Sequence, residues 1–272
     1  VRNNVAFLTT IFPMDKSYLF DFFNSLQKQT YKNFDVIVIN DNYDGFDEVE
    51  QAFTDLNIIE LNYSGTPAKN REYGINYVID SGYDVLIFGD SDDYFDSDRI
   101  QVSIDSLNDY DIVVNEISLF NTAGIYSNKY ISNRVQDNTQ ISLDFIKDKN
   151  IFGLSNTALR VSILDRTGFD QDLVAVDWYL YTKLLLKNAK AIFTNKTQTY
   201  YRQYESNTIG IGVRSDETIK KTRLVKSKHY SLLAKENSMF KELNEREKNI
   251  QMNNEYYELS RQKNKTPLWW ED

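Results

Sequence analysis

Asp90, Asp92 and Asp93 fall within four positions of the 272-residue sequence, directly after the apolar run "YDVLIF". Ionised carboxylates this close repel one another, so the stretch "GDSDDYF" calls for a partner that relieves them. Asp96 or Ser97 suits the N-cap of a helix over 97–108, with Asp98 in its first turn. Asp90 and Asp92 lie too far upstream for that job. An EF-hand loop counted from Asp90 fails, because Phe95 stands where glycine is needed and Gln101 where the closing acid is needed. An aspartate nucleophile of the phosphatase kind has the Asp90/Asp92 spacing. That chemistry places its aspartate on the first strand, whose end here reads "LTT". The remaining chemistry is a divalent cation shared with a diphosphate. Mg2+ or Mn2+ takes one or two carboxylates plus phosphate oxygens and waters. Residues i and i+2 of an extended segment point the same way, so Asp90 and Asp92 can share one ion, which also stabilises charge on a departing diphosphate.

The elements that must hold this cluster alternate between two periods. Near-continuous apolar runs at 5–12, 34–40, 58–61 and 84–88 read as strands. Helical patterns lie between them at 17–29, 46–56 and 67–82, the last opening on Pro67 and closing on Gly82. Unbroken apolar strands in β-α-β order predict a parallel sheet covered by helices on both faces. Ligands bind such sheets beyond the carboxyl ends of the strands, and both Asp41 and the Asp90–Asp93 cluster follow strands there. Further along, 111–120 reads as a long strand or strand pair, 153–164 is mixed and 177–188 is a clear helix. The run 191–204 reads as strand, turn and strand, and 205–215 as a mobile loop. Residues 216–263 are polar and helix-favouring, with a stripe at Leu232, Met239, Phe240, Leu243 and Ile250 that reads as core packing.

Composition narrows the function classes. At 41% hydrophobic and 26% charged, the chain is ordinary globular protein. A net charge of −9 disfavours a nucleic-acid binder. The acidity is confined to the first 215 residues, since Asp216 to Lys265 carries 12 Lys and Arg against 8 Asp and Glu. With no Cys and one His, thiolate and His-rich metal sites are excluded. No apolar run of about 18 residues exists and no basic, apolar leader opens the chain, so the expected location is the cytoplasm.

Taken in order, "SLQKQTYKNFDVIVINDN", "REYGI", "LIFGDSDDYFDSDRI" and "VDWYL" resemble the family 2 inverting glycosyltransferases of the GT-A fold, over about residues 5 to 208. The resemblance implies a Rossmann-like, mostly parallel sheet flanked by helices, with a C-terminal helical extension. It implies roles position by position. Thr10 touches the nucleotide base and Asp41 holds it, although Asn40 replaces the first aspartate of the family's pair. Arg71 lies near the nucleotide, with Glu72 replacing the usual asparagine. Asp90 faces the ribose and Asp92 the metal. Asp177 is the base toward the acceptor hydroxyl, with Val176 replacing the usual glutamate; its bland alternative is a helix cap. Tyr204 stands where the family often has a metal- or diphosphate-binding histidine. Arg202 and Arg214 are therefore placed to neutralise the diphosphate, while Asp93 points the other way and supports the loop.

These readings converge on a metal-assisted inverting transferase. The donor is a nucleotide-sugar, expected to be UDP-linked, and the acceptor a hydroxyl of a glycan, glycolipid or polymer precursor. Residues 1–215 form the transferase domain, nucleotide half about 1–115 and acceptor half about 116–215, and 216–272 the extension. That extension is expected to support the acceptor side, oligomerise or contact the inner face of a membrane. Trp178, with Tyr179 and Tyr181, offers aromatic faces for acceptor sugars or packs. Trp269 and Trp270, near Lys263 and Lys265, rest on a membrane or partner, or dock. His229 reads as a helix-surface residue. Two rivals remain: a nucleotidyltransferase, which lacks its Gly-rich loop after the first strand here, and a non-catalytic nucleotide-sugar-binding or scaffolding subunit, for which Asn40, Val176 and Tyr204 argue.

Overall fold

The computed structural model describes residues 4–166, 168–204, 216–253 and 266–271. The first half runs β1 (Val5–Ile11), α1 (Lys16–Gln27), β2 (Phe34–Asn40), α2 (Phe46–Ala52), β3 (Asn57–Asn62), α3 (Pro67–Asp80), β4 (Val85–Phe88), β5 (Tyr94–Phe95) and α4 (Arg99–Ser106). The second half runs β6 (Ile112–Asn121), β7 (Gly124–Ser127), β8 (Gln140–Ile141), α5 (Leu143–Ile146), β9 (Thr157–Arg160), α6 (Val176–Leu186), β10 (Ala191–Arg202), α7 (Asp216–Leu233) and α8 (Ser238–Asn253). One sheet takes the order β3-β2-β1-β4-β9-β6-β10-β5, with β7 on β6 and β8 on β10. Strands β3, β2, β1 and β4 are parallel, β9 is antiparallel to both its neighbours, and β10 is parallel to β6.

Strand alternation decides which helices cover which face. Ala6, Leu8, Ile37, Ile39, Leu86 and Phe88 pack with Ile75 and Val78 of α3 and with α6. Val5, Phe7, Val36, Val38, Val85 and Ile87 pack with Leu19, Phe22 and Phe23 of α1 and with α4. Both faces of β1 are therefore buried, which is why its sequence lacks polar alternation. Each such side chain contributes about 1.5–3 kcal/mol on leaving water. Helix starts follow their capping residues: Asp15 accepts from Ser17 N at 2.8 Å to open α1, and Thr66 precedes Pro67 at the start of α3. Gly82, with φ of 73°, ends α3.

Register brings the site residues to one edge. Thr10 pairs with Ile39 and Ile11 with Asn40, and Asp41 N donates to Ile11 O at 2.8 Å. Leu8 pairs with Phe88, and Gly89 N donates to Leu8 O at 3.1 Å. Thr10, Asp41 and Asp90 thus leave three adjacent parallel strands together at their carboxyl ends.

Several local expectations change. Residues 191–202 form one strand, not two, because the chain stays extended through the register shift between Thr194 and Gln198 instead of turning back. Neither Asp96 nor Ser97 caps α4. Its N-cap position is Asp98, without a side-chain cap, while Asp96 accepts from Gln198 N and Tyr200 Oη. Trp269 and Trp270 are docked, 8% and 4% exposed. Trp269 O accepts from Asn150 N at 2.8 Å and Pro267 O from Tyr130 Oη at 2.6 Å. The expected loop at 205–215 lies outside the described residues.

His229 is not on the surface. It is fully buried, its ring stacked 3.7 Å from that of Trp178. Burial, and secondarily Lys226, holds its pKa well below the usual value, so it is neutral in the fold. Below about pH 6.5 the unfolded chain therefore binds a proton that the fold refuses, and stability falls as pH drops. Thermal melts should show His229→Phe, which keeps the stack, losing less Tm than wild type between pH 7.5 and 5.5.

Candidate functional site

Arg71 organises the edge where the parallel strands end. On α3, one turn after Pro67, it donates from Nη1 to Thr10 Oγ1 at 2.8 Å and from Nη2 to Asp90 Oδ1 at 2.6 Å. Its neighbour Asn70 donates to Asp41 Oδ2 at 2.7 Å, and Asn42 donates to Asp41 Oδ1 at 3.0 Å. Residues from three strand ends and one helix are thus tied into one polar surface. Gly74 lets α3 approach this closely, because a Cβ there would meet Leu8 Cδ1 at 2.8 Å. Asn40 serves the turn after β2, where its side chain accepts from Tyr43 N and donates to Tyr43 O and Glu60 Oε1.

The aspartates after β4 divide their work. Asp93 is fully buried and points inward, accepting from Ser155 Oγ and, at 2.8 Å, from Arg202 N. Burial, then Asp92 and Asp90, pushes its pKa well above the carboxylate range despite those donors. Asp90 and Asp92 are only part-buried. Asp90 N donates to Ser155 Oγ at 3.3 Å. Asp92 Oδ2 accepts from Tyr204 Oη at 2.7 Å, and burial followed by repulsion from Asp90 raises its pKa. Beneath them Arg99, fully buried, donates to Phe88 O at 2.5 Å and to Asn115 Oδ1 at 3.2 Å, with its guanidinium 4.3 Å from the Phe95 ring centre. Burial lowers its pKa to about 9, with Asp93 and Asp90 opposing, so it still carries a positive charge at neutral pH under the aspartate loop.

Gly89 is what lets β4 deliver Asp90. A Cβ there would lie 2.5 Å from Phe7 Cε1 and 2.8 Å from Phe95 Cζ, both rings packed in the core. Gly89→Ala should therefore cost about 1–3 kcal/mol and displace the aspartate loop, read as a lower denaturation midpoint together with weakened nucleotide binding.

Asp177 enters from the second half. It lies in the first turn of α6 without capping it. The N-cap is Ala175, with no side-chain cap, and Asp177 Oδ1 accepts from Trp178 N at 2.7 Å. Burial raises its pKa to about 7; Asp90 adds to the rise, while the Trp178 N–H and Arg71 oppose it. Asp177 is therefore within electrostatic reach of the Arg71–Asp90 pair, and its proton exchanges near neutrality.

The other expected contacts fare differently. Trp178 is fully buried, donating from Nε1 to Ile146 O at 2.7 Å, so it packs and offers no face to a ligand. Tyr181 is buried against Phe152, and Tyr179 is part-buried against Phe169 and His229. Arg202 binds Asp92 O at 2.6 Å and Asp21 Oδ2 at 2.7 Å, with its guanidinium over Tyr18 and Phe120. It braces the aspartate loop instead of standing open for a diphosphate. Arg214 lies outside the described residues. Sequence reasoning missed Ser155, whose hydrogen bonds join chain positions 62 and 65 residues apart. It missed Arg99 too, although an arginine on the same face as Ile100, Ser103 and Ile104 of α4 was a visible signal.

Among the described residues no three His, Cys, Asp or Glu side chains are grouped to hold a metal ion. The chain offers two carboxylates at i and i+2, each with one oxygen already engaged, Asp90 by Arg71 and Asp92 by Tyr204. That donor set fits a cation whose other ligands are diphosphate oxygens and water. The mutual repulsion that raises the Asp92 pKa is what such a cation relieves.

Residues 14–167, more than half of the chain, match the model of glycosyl transferase family 2. The dTDP-rhamnosyl transferase RfbG of Shigella flexneri is 26% identical over 196 residues, 64% of this chain and 62% of that protein. The glycosyltransferase GlyA of Streptococcus pneumoniae is 28% identical over 215 residues, 72% of this chain and 30% of that protein. The chain thus spans less than two thirds of either relative. Among solved structures, S. aureus TarS 1–349 in complex with UDP-GlcNAc superposes with a TM-score of 0.60 at 19% identity, over 84% of this chain and 66% of that one. The mannosyltransferase PcManGT of Pyrobaculum calidifontis, in complex with GDP-Man and Mn2+, gives 0.60 at 14% identity, over 87% and 66%. These neighbours share the GT-A fold with this chain.

Proposed function

Since this chain belongs to glycosyl transferase family 2, we propose that it moves a sugar from a UDP-linked donor to a hydroxyl of a glycan, glycolipid or polymer acceptor, with inversion at the anomeric carbon. The observation that carries this reading is the pairing of two environments at one edge. An Arg71–Asp90–Thr10 surface suits a nucleoside diphosphate, and beside it Asp177 has a pKa near 7. Thr10 and Asp41 bind the base, Asp90 the ribose, and Asp92 with Asp90 would hold Mg2+ or Mn2+. Bound there, the ion supplies positive charge against the departing diphosphate.

Inversion requires one base on the side opposite the leaving group. Asp177 Oδ1 is held by the Trp178 N–H, which leaves the other oxygen to take the acceptor proton. The oxygen so freed forms the new bond to the anomeric carbon as the bond to the diphosphate breaks, and its electron pair leaves on the phosphate. A carboxyl that exchanges its proton near pH 7 suits this step, because an ordinary carboxylate is too weak a base. No helix among the described residues is long and apolar enough to cross a membrane. The extension 216–272 is where we place peripheral contact with a membrane or a second copy. Thermal-shift titration with UDP, GDP and dTDP, each with and without Mn2+, tests the donor half. UDP should raise Tm only with metal, and a response to no nucleoside diphosphate in either condition would remove the reading.

A further inference from the structure

Arg71 and Glu72 are consecutive on α3 but serve different places. Arg71 reaches the Thr10–Asp90 surface. Glu72 Oε2 accepts from the backbone N–H of Phe169 at 2.7 Å, 97 residues away, and from Lys69 Nζ at 2.7 Å. Its side chain is 23% exposed, so the contact is partly shielded from water. Residues 168–175 have no regular structure and lead directly into α6. Of their apolar residues Phe169, Leu173 and Ala175 are buried, while Val174 is half exposed. No side chain caps α6 at Ala175. Core packing from Trp178 onward fixes the body of α6, so the aim of Asp177, in its uncapped first turn, depends further on what anchors this segment. From one side Lys228 of α7 binds Asp170 Oδ2 at 2.8 Å. From the other, Glu72 makes a charge-assisted bond to the segment's backbone, the stronger kind of hydrogen bond. Without it a backbone N–H on a buried residue loses its partner.

We propose that Glu72 is a positioning residue that ties the nucleotide-side helix α3 to the segment carrying Asp177, through the Phe169 N–H. The inference rests on Asp177 being the base. It predicts a change in the base side of the site with the donor side left intact. Near-attack geometry is steep, and a misplacement of about 1 Å costs on the order of 100-fold in rate.

Glu72→Met keeps the side chain's length and removes the acceptor. Glu72→Gln keeps an acceptor oxygen without the charge, and Lys69→Ala removes only the ion pair. The readouts are amide hydrogen exchange over 168–176, UDP affinity, and the rate of UDP release from the donor across pH. In Glu72→Met, exchange over 168–176 should rise at least tenfold and kcat should fall about 10–100-fold, with donor KM within threefold of wild type. Glu72→Gln should restore both within about threefold, and Lys69→Ala should leave exchange unchanged. Wild-type exchange in Glu72→Met, or a loss in Glu72→Gln as large, or a loss confined to donor KM, overturns the proposal. If wild type releases UDP from no donor, the transferase reading fails by itself, and exchange together with UDP affinity still decides whether Glu72 is the anchor.

Discussion

Asp177→Asn should transfer sugar about 100- to 10,000-fold more slowly than wild type, the usual worth of a general base, and should bind nucleoside diphosphate equally well. Asparagine keeps the shape and can still accept from Trp178 N, so packing around α6 survives. What the substitution removes is the carboxylate oxygen that the proposed mechanism uses to take a proton. In wild type, transfer should rise with pH through an apparent value near 7, because burial holds the Asp177 proton that long. The variant's residual rate should lack that rise. Stability moves the opposite way. The folded pKa of about 7 lies above the unfolded value near 3.8, so the fold keeps a proton that the unfolded chain has released. The stability this confers is fully present below about pH 3.8 and is lost as pH rises through 7. At pH 8 the wild-type fold carries a buried carboxylate that Asp177→Asn removes. Differential scanning calorimetry should find the variant more stable at pH 8, by about 2–4 °C in Tm for each kcal/mol relieved, and level with wild type at pH 4. Equal transfer rates in both proteins would remove Asp177 from the mechanism. A drop in Tm at both pH values would instead make it structural.

Arg71→Met should have the second largest effect. Two hydrogen bonds to Thr10 and Asp90 disappear together with the charge facing Asp90. On the proposed reading Arg71 also faces the bound nucleotide; one charged hydrogen bond to it is worth about 1.5–3 kcal/mol, so nucleotide affinity should fall roughly 10- to 100-fold by calorimetry. A second consequence separates this from simple loss of a contact. Asp90 raises the Asp177 pKa and Arg71 lowers it. With Arg71 gone, one of the influences that lower it is removed while Asp90 stays, and the pH–rate profile should shift to higher pH. Weakened affinity with an unmoved profile would mean that the two halves of the site are not electrostatically joined.

The parallel first half of the sheet and the edge that carries Thr10, Asp41 and Asp90 are legible in the sequence because they follow from local pattern. Unbroken apolar runs, Pro67 and Gly82, and aspartates placed directly after strands suffice for that. The inward turn of Asp93 does not follow from extended alternation, because 90–93 is a turn closed by Asp93 N donating to Asp90 O at 3.1 Å rather than an extended segment. What is not legible depends on contacts between distant segments. Ser155 reaches Asp93 across 62 residues and Glu72 reaches Phe169 across 97, and no local pattern marks either pairing. The position of Arg202 is hidden for the same reason. Its neighbours in sequence suggest an open cation, whereas Asp21, 181 residues away, and the Asp92 carbonyl hold it. Local pattern alone puts His229 on the surface and offers Trp178 as a ligand face. Together they form the buried stack that seats α7 against α6. Tyr204 departs from the family's usual histidine, yet its hydrogen bond to Asp92 keeps that position in the service of the aspartate pair.

The configuration of the product at its anomeric carbon tests the central claim most directly. Incubating the protein with UDP-sugar and Mn2+ and recording proton NMR spectra in the first minutes gives the configuration of the sugar delivered to acceptor, or to water, before mutarotation. A single base at Asp177 predicts a configuration opposite to the donor's. A product that keeps the donor's configuration would contradict the account.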